Sequence, residues 1–197
     1  GIAVSADSVE TTAITGESVE VSPTVTGGSG AYAIDVVVAD AQGNACAVEN
    51  GAFVPQNAGV YTVTYTVTDH IGNKATAKHT VTVTAKNTAV FEGEPRLPAA
   101  FVDGMTYTLP TVYAIDYTSG TAERVAATVS VVCNGTPLEA TDGKFIPRAL
   151  SSGDKATVTY TVAHAEPLNY EIPVMRVKEE IEEGFFGYDI TQHFVAE

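Results

Sequence analysis

An internal repeat constrains this chain more than any other feature of its sequence. The segment GAFVP at residues 51–55 recurs as GKFIP at residues 143–147, 92 positions later. After a loop in each copy, YTVTYTVTD at residues 61–69 recurs as ATVTYTVAH at residues 156–164, 95 positions later. A repeat of roughly this length corresponds to one β-sandwich domain. The 197 residues therefore have room for two tandem sandwiches.

Both copies alternate between apolar residues and threonine with a period of two. Tyr61, Val63, Tyr65 and Val67 fall on one face of the predicted strand, and threonines fall on the other. This period predicts a strand with one buried and one solvated face. The following DHIGN at residues 69–73 predicts a hairpin turn into a second alternating strand, in which Val81 and Val83 point inward. The near-continuous apolar runs 33–39 and 125–132 predict central strands.

The composition agrees with an all-β protein. Valine and threonine make up roughly a quarter of the chain, and β-branched side chains fit a pleated sheet better than a helix. The hydrophobic fraction of 45% is large enough for real cores, which excludes a disordered acidic tail. We therefore predict two sandwiches built from short antiparallel strands.

The segment AGVYTVTYTVTDHIGN at residues 58–73 resembles bacterial immunoglobulin-like (Big/HYR-like) cell-surface repeats, in which a G-x-Y-x-V-x-Y-x-x-x-D-x-x-G-N stretch recurs. This resemblance implies two tandem immunoglobulin-like β-sandwich domains with a short C-terminal extension. It also implies that Tyr61 forms a tyrosine corner and that Val63 occupies the place of the second cysteine of antibody domains. The second copy departs from the family pattern at Ala156 and at residues 164–167, where the D-x-x-G-N turn is missing.

The repeat predicts domain 1 at residues 1–86, domain 2 at residues 87–178, and a linker or the start of a further domain at residues 179–197. The junction after residue 84 is short and has no Gly/Ser-rich or Pro-rich stretch. A short connection limits hinge motion, so we expect the pair to act as a semi-rigid spacer.

The charge of the chain restricts its partners. The formal net charge is −14 at pH 7, and no block of lysine or arginine occurs, so nucleic acid is not expected as a partner. No apolar stretch approaches the length of a membrane helix, so no membrane insertion is expected. Cys46 and Cys133 fall at non-equivalent positions of the two copies, which predicts two unpaired thiols.

The sequence shows no spacing that is typical of a catalytic, cofactor or metal site. The four histidines form no zinc pattern, and no G-x-S-x-G elbow occurs, so we predict no enzyme, no catalytic residues, no cofactor and no metal. Calcium stays open as an alternative, with oxygen ligands from Asp69, Glu92, Glu94 and Asp103.

These features favour a non-catalytic structural or adhesion module of a secreted or cell-surface bacterial protein. Its expected partners are the neighbouring domains of the same full-length protein, together with a glycan or a host-surface protein, and a monomer is expected. The alternative is a glycan-binding accessory module of a secreted polysaccharide-degrading enzyme. In that case Tyr113 and Tyr117, on one loop, are the candidate ligand-binding residues, because aromatic rings stack on sugars.

Overall fold

The computed structural model describes residues 1–7, 9–141, 143–148, 153–183 and 190–196. Within these residues every regular element is a β-strand, so the all-β prediction is confirmed. The chain divides into two compact units. Unit 1 contains Gly1–Ala89 and Ile115–Arg124, and unit 2 contains Val90–Ala114 and Val125–Glu197.

Residues 1–84 form two facing sets of strands. The strands are β1 (Ile2–Ser5), β2 (Thr12–Ile14), β3 (Val19–Glu20), β4 (Thr24–Gly27), β5 (Tyr32–Ala39), β6 (Ala45–Cys46), β7 (Ala52–Phe53), β8 (Gly59–Asp69) and β9 (Lys74–Thr84). Five of them form a sheet in the order β2-β9-β8-β5-β6, in which β2 runs parallel to β9 and the other pairs are antiparallel. The remaining strands pair as β1 with β4 and β3 with β7.

The second half of the chain repeats this plan. Its strands are β10 (Ala89–Phe91), β11 (Phe101–Val102), β12 (Tyr107–Thr108), β13 (Tyr113–Asp116), β14 (Glu123–Ala126), β15 (Thr128–Cys133), β16 (Thr136–Leu138), β17 (Lys144–Phe145), β18 (Lys155–Thr161) and β19 (Leu168–Met175). The five-stranded sheet has the order β11-β19-β18-β15-β16, and β11 is again parallel to β19. The two sheets therefore match strand for strand, and the fold is a tandem immunoglobulin-like sandwich.

Beyond these strands, β20 (Val177–Glu183) and β21 (Ile190–Ala196) form an antiparallel pair. Residues 184–189 and 197 lie outside the described residues. The choice between a linker and the start of a further domain at residues 179–197 stays a prediction.

Each five-stranded sheet contributes to its own core. In the first copy, the inward residues that the alternation predicts are all buried. They are Tyr61, Val63, Tyr65, Val67, Val81 and Val83. In the second copy, Val158 and Tyr160 occupy the corresponding places and are also buried. Burying one such side chain contributes about 1.5–3 kcal/mol, so these faces supply most of the drive for the sandwich to close.

The tyrosine corner that the resemblance implies is present. The Tyr61 hydroxyl donates a hydrogen bond of 2.7 Å to the carbonyl oxygen of Asn57, four residues upstream, while its ring packs 5.5 Å from that of Phe53. Both cysteines are free thiols, as predicted, with Cys46 partly buried and Cys133 buried.

The prediction of central strands in the two apolar runs is wrong in part. Residues 125–132 divide between β14 and β15, which belong to different sheets. In the first copy, β6 is only two residues long and pairs only with Val38 and Ala39 of β5. At this uncovered edge the inward-facing Ile34 is 46% exposed, and Val37, on the outward face, is 49% exposed.

Candidate functional site

The two predicted ligand-binding tyrosines lie in different surroundings. Tyr113 begins β13 and is partly buried. Tyr117 is only 8% exposed, and a Cβ at Gly16 would lie 2.7 Å from its ring Cζ, so the ring packs directly against the Gly16 backbone. Stacking on a sugar requires an exposed ring face. The structure thus places Tyr117 in a packing role, and glycan binding through Tyr113 and Tyr117 stays a prediction.

Two turns of unit 1 share one sequence pattern. Residues 40–44 (DAQGN) and 69–73 (DHIGN) both read D-x-x-G-N. In each turn the backbone N–H of the aspartate donates to the asparagine carbonyl, at 2.9 Å for Asp40 and 3.0 Å for Asp69. Sequence reasoning missed the first of these turns, although the repeated pattern was the signal that could have revealed it.

The aspartate carboxylates hold both turns together. The Asp40 carboxylate accepts from the backbone N–H of Asn44 at 2.8 Å and from its side-chain amide at 3.2 Å. The Asp69 carboxylate accepts from the same two groups of Asn73, at 2.8 and 2.9 Å. The glycines adopt positive φ, 86° for Gly43 and 94° for Gly72, which explains why the pattern requires glycine there.

Asp69 differs from Asp40 because it also binds a second loop. Its carboxylate accepts from the backbone N–H of Ser29 at 3.3 Å, and its side chain is only 4% exposed. Burial raises the pKa of the Asp69 carboxyl, but the hydrogen bonds from Asn73 and Ser29 outweigh burial and hold it below its usual value of 3.8. Asp69 is therefore an ionised anchor that joins the β4–β5 loop to the β8–β9 turn.

A serine–histidine pair lies on the same two loops. The Ser29 hydroxyl is 2.7 Å from Nδ1 of His70. Within the described residues no hydrogen bond joins the Asp69 carboxylate to the His70 ring, since that carboxylate is bound by N–H groups of the turn and of Ser29. The carboxylate–imidazole–hydroxyl chain of a hydrolytic triad is thus not assembled here, and the contact links two loops.

A second histidine packs inside the first sandwich. The Tyr65 hydroxyl lies 2.9 Å from Nε2 of His79, and the two rings stack with centroids 5.5 Å apart. Burial raises the pKa of Tyr65 to about 12, so the phenol keeps its proton at neutral pH.

Strands β2 and β9, which lie near the two ends of the first copy, are joined along the whole of β2. Thr82 N–H donates to the Thr11 carbonyl at 2.8 Å, and Thr15 N–H donates to the Thr84 carbonyl at 3.0 Å. Past the end of β9, Lys86 N–H donates to the buried Thr15 hydroxyl at 2.9 Å, and the Lys86 ammonium pairs with Glu17 at 3.1 Å.

The four oxygen ligands proposed for calcium do not belong to one unit. Asp69 belongs to unit 1, whereas Glu92, Glu94 and Asp103 belong to unit 2. Across the described part of the chain, no group of three histidine, cysteine, aspartate or glutamate side chains is arranged to hold a metal ion. The same residues include no helix with the length and hydropathy needed to cross a membrane.

Comparison with known proteins yields distant structural similarity. No protein-family model and no curated protein matches the chain. It is similar to SGBP-B of the Bacteroides ovatus mixed-linkage glucan utilization locus (14% identity, 84% of this chain, 43% of that chain, TM-score 0.28). It is also similar to the insect immune protein hemolin (14%, 85% and 45%, TM-score 0.36). A third similarity is to the fibronectin(III)-like modules of Clostridium thermocellum CbhA (10%, 89% and 95%, TM-score 0.29). The chain spans less than half of the first two chains.

Proposed function

We propose that the chain is a non-catalytic structural and adhesion module of a secreted or cell-surface bacterial protein. In this role each sandwich transmits tension between the neighbouring domains of the same full-length protein, and the chain acts as a monomeric spacer. The observation that carries the proposal is the parallel pairing, in both copies, of the second strand with the last strand of the sandwich, β2 with β9 and β11 with β19.

A parallel pair formed by the second and the last strand resists extension for a geometric reason. When a sandwich is pulled by its two ends, tension passes through the first strand to the second strand, which is drawn toward one end while the last strand is drawn toward the other. Because β2 and β9 are parallel and adjacent, this motion slides one along the other and loads all their hydrogen bonds together. Each bond contributes only about 0.5–1.5 kcal/mol, so simultaneous rupture is what gives mechanical resistance. This arrangement suits a spacer under load.

The experiment is single-molecule extension of the chain with Ala13→Pro. Hydrogen bonds at Thr11 and Thr15 point toward β9, so alternation directs the Ala13 N–H to β9 as well. Proline removes that donor. We expect two unfolding events in the parent, each releasing roughly 300 Å of chain. The variant should lower the rupture force of one event and leave the other unchanged.

The matched control is Ile14→Pro. Ile14 is adjacent on β2 and 41% exposed, and alternation points its N–H away from β9. The rupture force of this variant should differ from the parental value by no more than about a tenth of the loss that Ala13→Pro causes. If Ala13→Pro leaves both rupture forces at parental values, the tension-bearing role is wrong.

A further inference from the structure

The outer edge of β5 is open over most of its length. All eight residues of β5 pair with β8 on one side, but on the other side β6 pairs only with Val38 and Ala39. Over the described part of the chain, no strand pairs with the outer edge of residues 32–37. Open edges of this kind accept an added strand unless they are blocked.

The groups available on this edge can be assigned from the turn that follows. The Asp40 N–H bonds to the Asn44 carbonyl, so Asp40 faces the β6 side. Backbone direction alternates along a strand, which turns the N–H and C=O of Ile34 and Val36 to the same open side. The N–H groups of Asp35 and Val37 then face β8, with which both residues pair. Within the described residues no hydrogen bond uses the N–H or C=O of Ile34 or Val36, so the open edge presents a ladder of donors and acceptors.

An apolar groove of about 360 Å³ lies beside this edge. Ile34 and Val36 pair with Val67 and Tyr65 of β8, both of which point into the core, so their side chains share that inward face. Ile34 nevertheless stays 46% exposed, because no strand of the described part of the chain pairs beside it at the edge. The groove is lined by Val21, Ser22, Pro23, Ile34, Val36, Val48 and Gly51. An apolar side chain entering there would complete the core at this edge.

The negative charge of the first copy favours a basic partner strand at the β5 edge. Residues 1–73 contain eight acidic side chains and no lysine or arginine. The first basic residues, Lys74 and Lys78, lie on β9, which β8 separates from β5. Asp35, on β5 itself, is exposed on the face opposite the groove. The net charge of −14 opposes a second copy of this chain, whereas a basic segment is attracted.

We propose that the outer edge of β5 binds an extended segment of a partner protein in which lysine or arginine alternates with apolar residues. The segment adds as a sixth strand, its backbone pairs with Ile34 and Val36, and its apolar side chains enter the groove. Its basic side chains lie on the other face, beside Asp35, as a cross-strand pair. If the chain has the proposed adhesion role, this site defines the class of partner that it binds. The inference depends on that role only for its biological setting.

The test titrates the full chain with a synthetic peptide of about ten residues in which valine alternates with lysine. Backbone amide exchange followed by NMR reports the site directly. The amides of Ile34 and Val36 should exchange quickly in the free chain and become protected, by at least about tenfold, when the peptide is bound. The amides of Asp35 and Val37, which face β8, should be protected in both states.

Two protein variants and one further peptide distinguish binding at the β5 edge from nonspecific electrostatic attraction. Ile34→Lys places a charge in the groove and should weaken peptide binding by at least about tenfold. Val60→Lys adds the same charge at the same exposure on β8, beyond the last residue that pairs with β5, and should change the affinity by less than about threefold. A peptide that alternates valine with glutamate should bind at least about tenfold more weakly than the lysine peptide.

Each opposite result would overturn the inference. These are no binding of the lysine peptide up to about 1 mM, equal binding to the Ile34→Lys variant, or new protection confined to amides outside β5. The rupture-force experiment reports on β2 and β9 and does not involve β5. A failure of strand addition therefore leaves the tension-bearing proposal intact, and the converse also holds.

Discussion

One aspartate carboxylate stabilises each of the two D-x-x-G-N turns of unit 1, and the Asp69 carboxylate accepts more hydrogen bonds than the Asp40 carboxylate does. Asp40 and Asp69 occupy the same position of the same D-x-x-G-N pattern, but only Asp69 also holds the β4–β5 loop, through Ser29. For Asp40, hydrogen bonds led by the Asn44 backbone lower the carboxyl pKa. A folded-state pKa below the unfolded value means that the ionised carboxylate stabilises the fold, and that this stabilisation is lost in acid.

We therefore predict a specific pH dependence for Asp69→Asn. At neutral pH the variant should melt several degrees below the parent, because an amide oxygen accepts the turn N–H groups less strongly than a carboxylate does. The stabilisation from Asp69 is complete above the usual carboxyl pKa of 3.8 and disappears as the pH falls through the lower folded-state value. The difference between the two melting curves should therefore shrink below pH 3.8.

Asp40→Asn is the matched control for this series, since its turn has the same geometry without the contact to Ser29. Its melting temperature should fall less than that of Asp69→Asn and follow the same direction with pH. A constant difference between Asp69→Asn and the parent down to pH 2 would show that the carboxylate charge is not what stabilises the turn.

The Tyr65–His79 hydrogen bond gives a second prediction for single residues. Tyr65→Phe removes the hydroxyl and leaves Nε2 of His79 without its partner in the core, which should cost about 1–2 kcal/mol of unfolding free energy. The double variant Tyr65→Phe with His79→Phe replaces both partners by apolar rings, so it should lose less than the sum of the two single variants. Chemical denaturation of the four proteins measures the coupling, and strict additivity would contradict it.

Some residue roles were readable from the sequence because a local pattern determines them. Tyr61 could be assigned as a tyrosine corner because its acceptor, Asn57, lies four residues away in the chain. The packing of Tyr117 depends on Gly16, about a hundred positions distant, and no local pattern indicates that contact. Aromatic spacing alone therefore could not separate a sugar platform from a packed ring.

At the scale of elements, alternating strands were predictable and continuous apolar strands were not. In β8 and β9 one face is buried and the other is solvated, so buried and solvated positions alternate along each strand and the sequence shows a period of two. The apolar run of β5 says nothing about which neighbours flank the strand. The open outer edge of β5 follows from the two-residue length of β6, a separate element of the chain.

The apolar run 125–132 illustrates the same limit. The chain leaves one sheet and enters another at Ala127, whose N–H donates to the Val112 carbonyl at 2.8 Å. That bond joins Ala127 to a residue outside both β14 and β15, so the hydrophobicity of residues 125–132 does not predict the change of sheet. Hydrophobic pattern determines which residues are buried, whereas strand order follows from partners distant in the chain.

At the scale of the whole molecule, the repeat yields two cores that share no residue. The first contains Val63 and the second contains Val158, which is its counterpart in the repeat. Both side chains are completely buried in the central β8 and β18 strands. A charge placed at either position has no partner in the core, so damage should be confined to the unit that receives it.

We predict that Val63→Asp and Val158→Asp unfold different halves of the protein. Each should remove about 4 kcal/mol or more of unfolding free energy from its own core. Amide exchange should then show lost protection in β5, β8 and β9 for Val63→Asp, with β15, β18 and β19 still protected, and the reverse for Val158→Asp. Thr64→Asp, next to Val63 but on the outward face of β8, should cost less than about 1 kcal/mol and keep both patterns. Loss of protection in all six strands from a single core variant would mean that the two sandwiches fold as one cooperative unit, so that the repeat in sequence is not a repeat in stability.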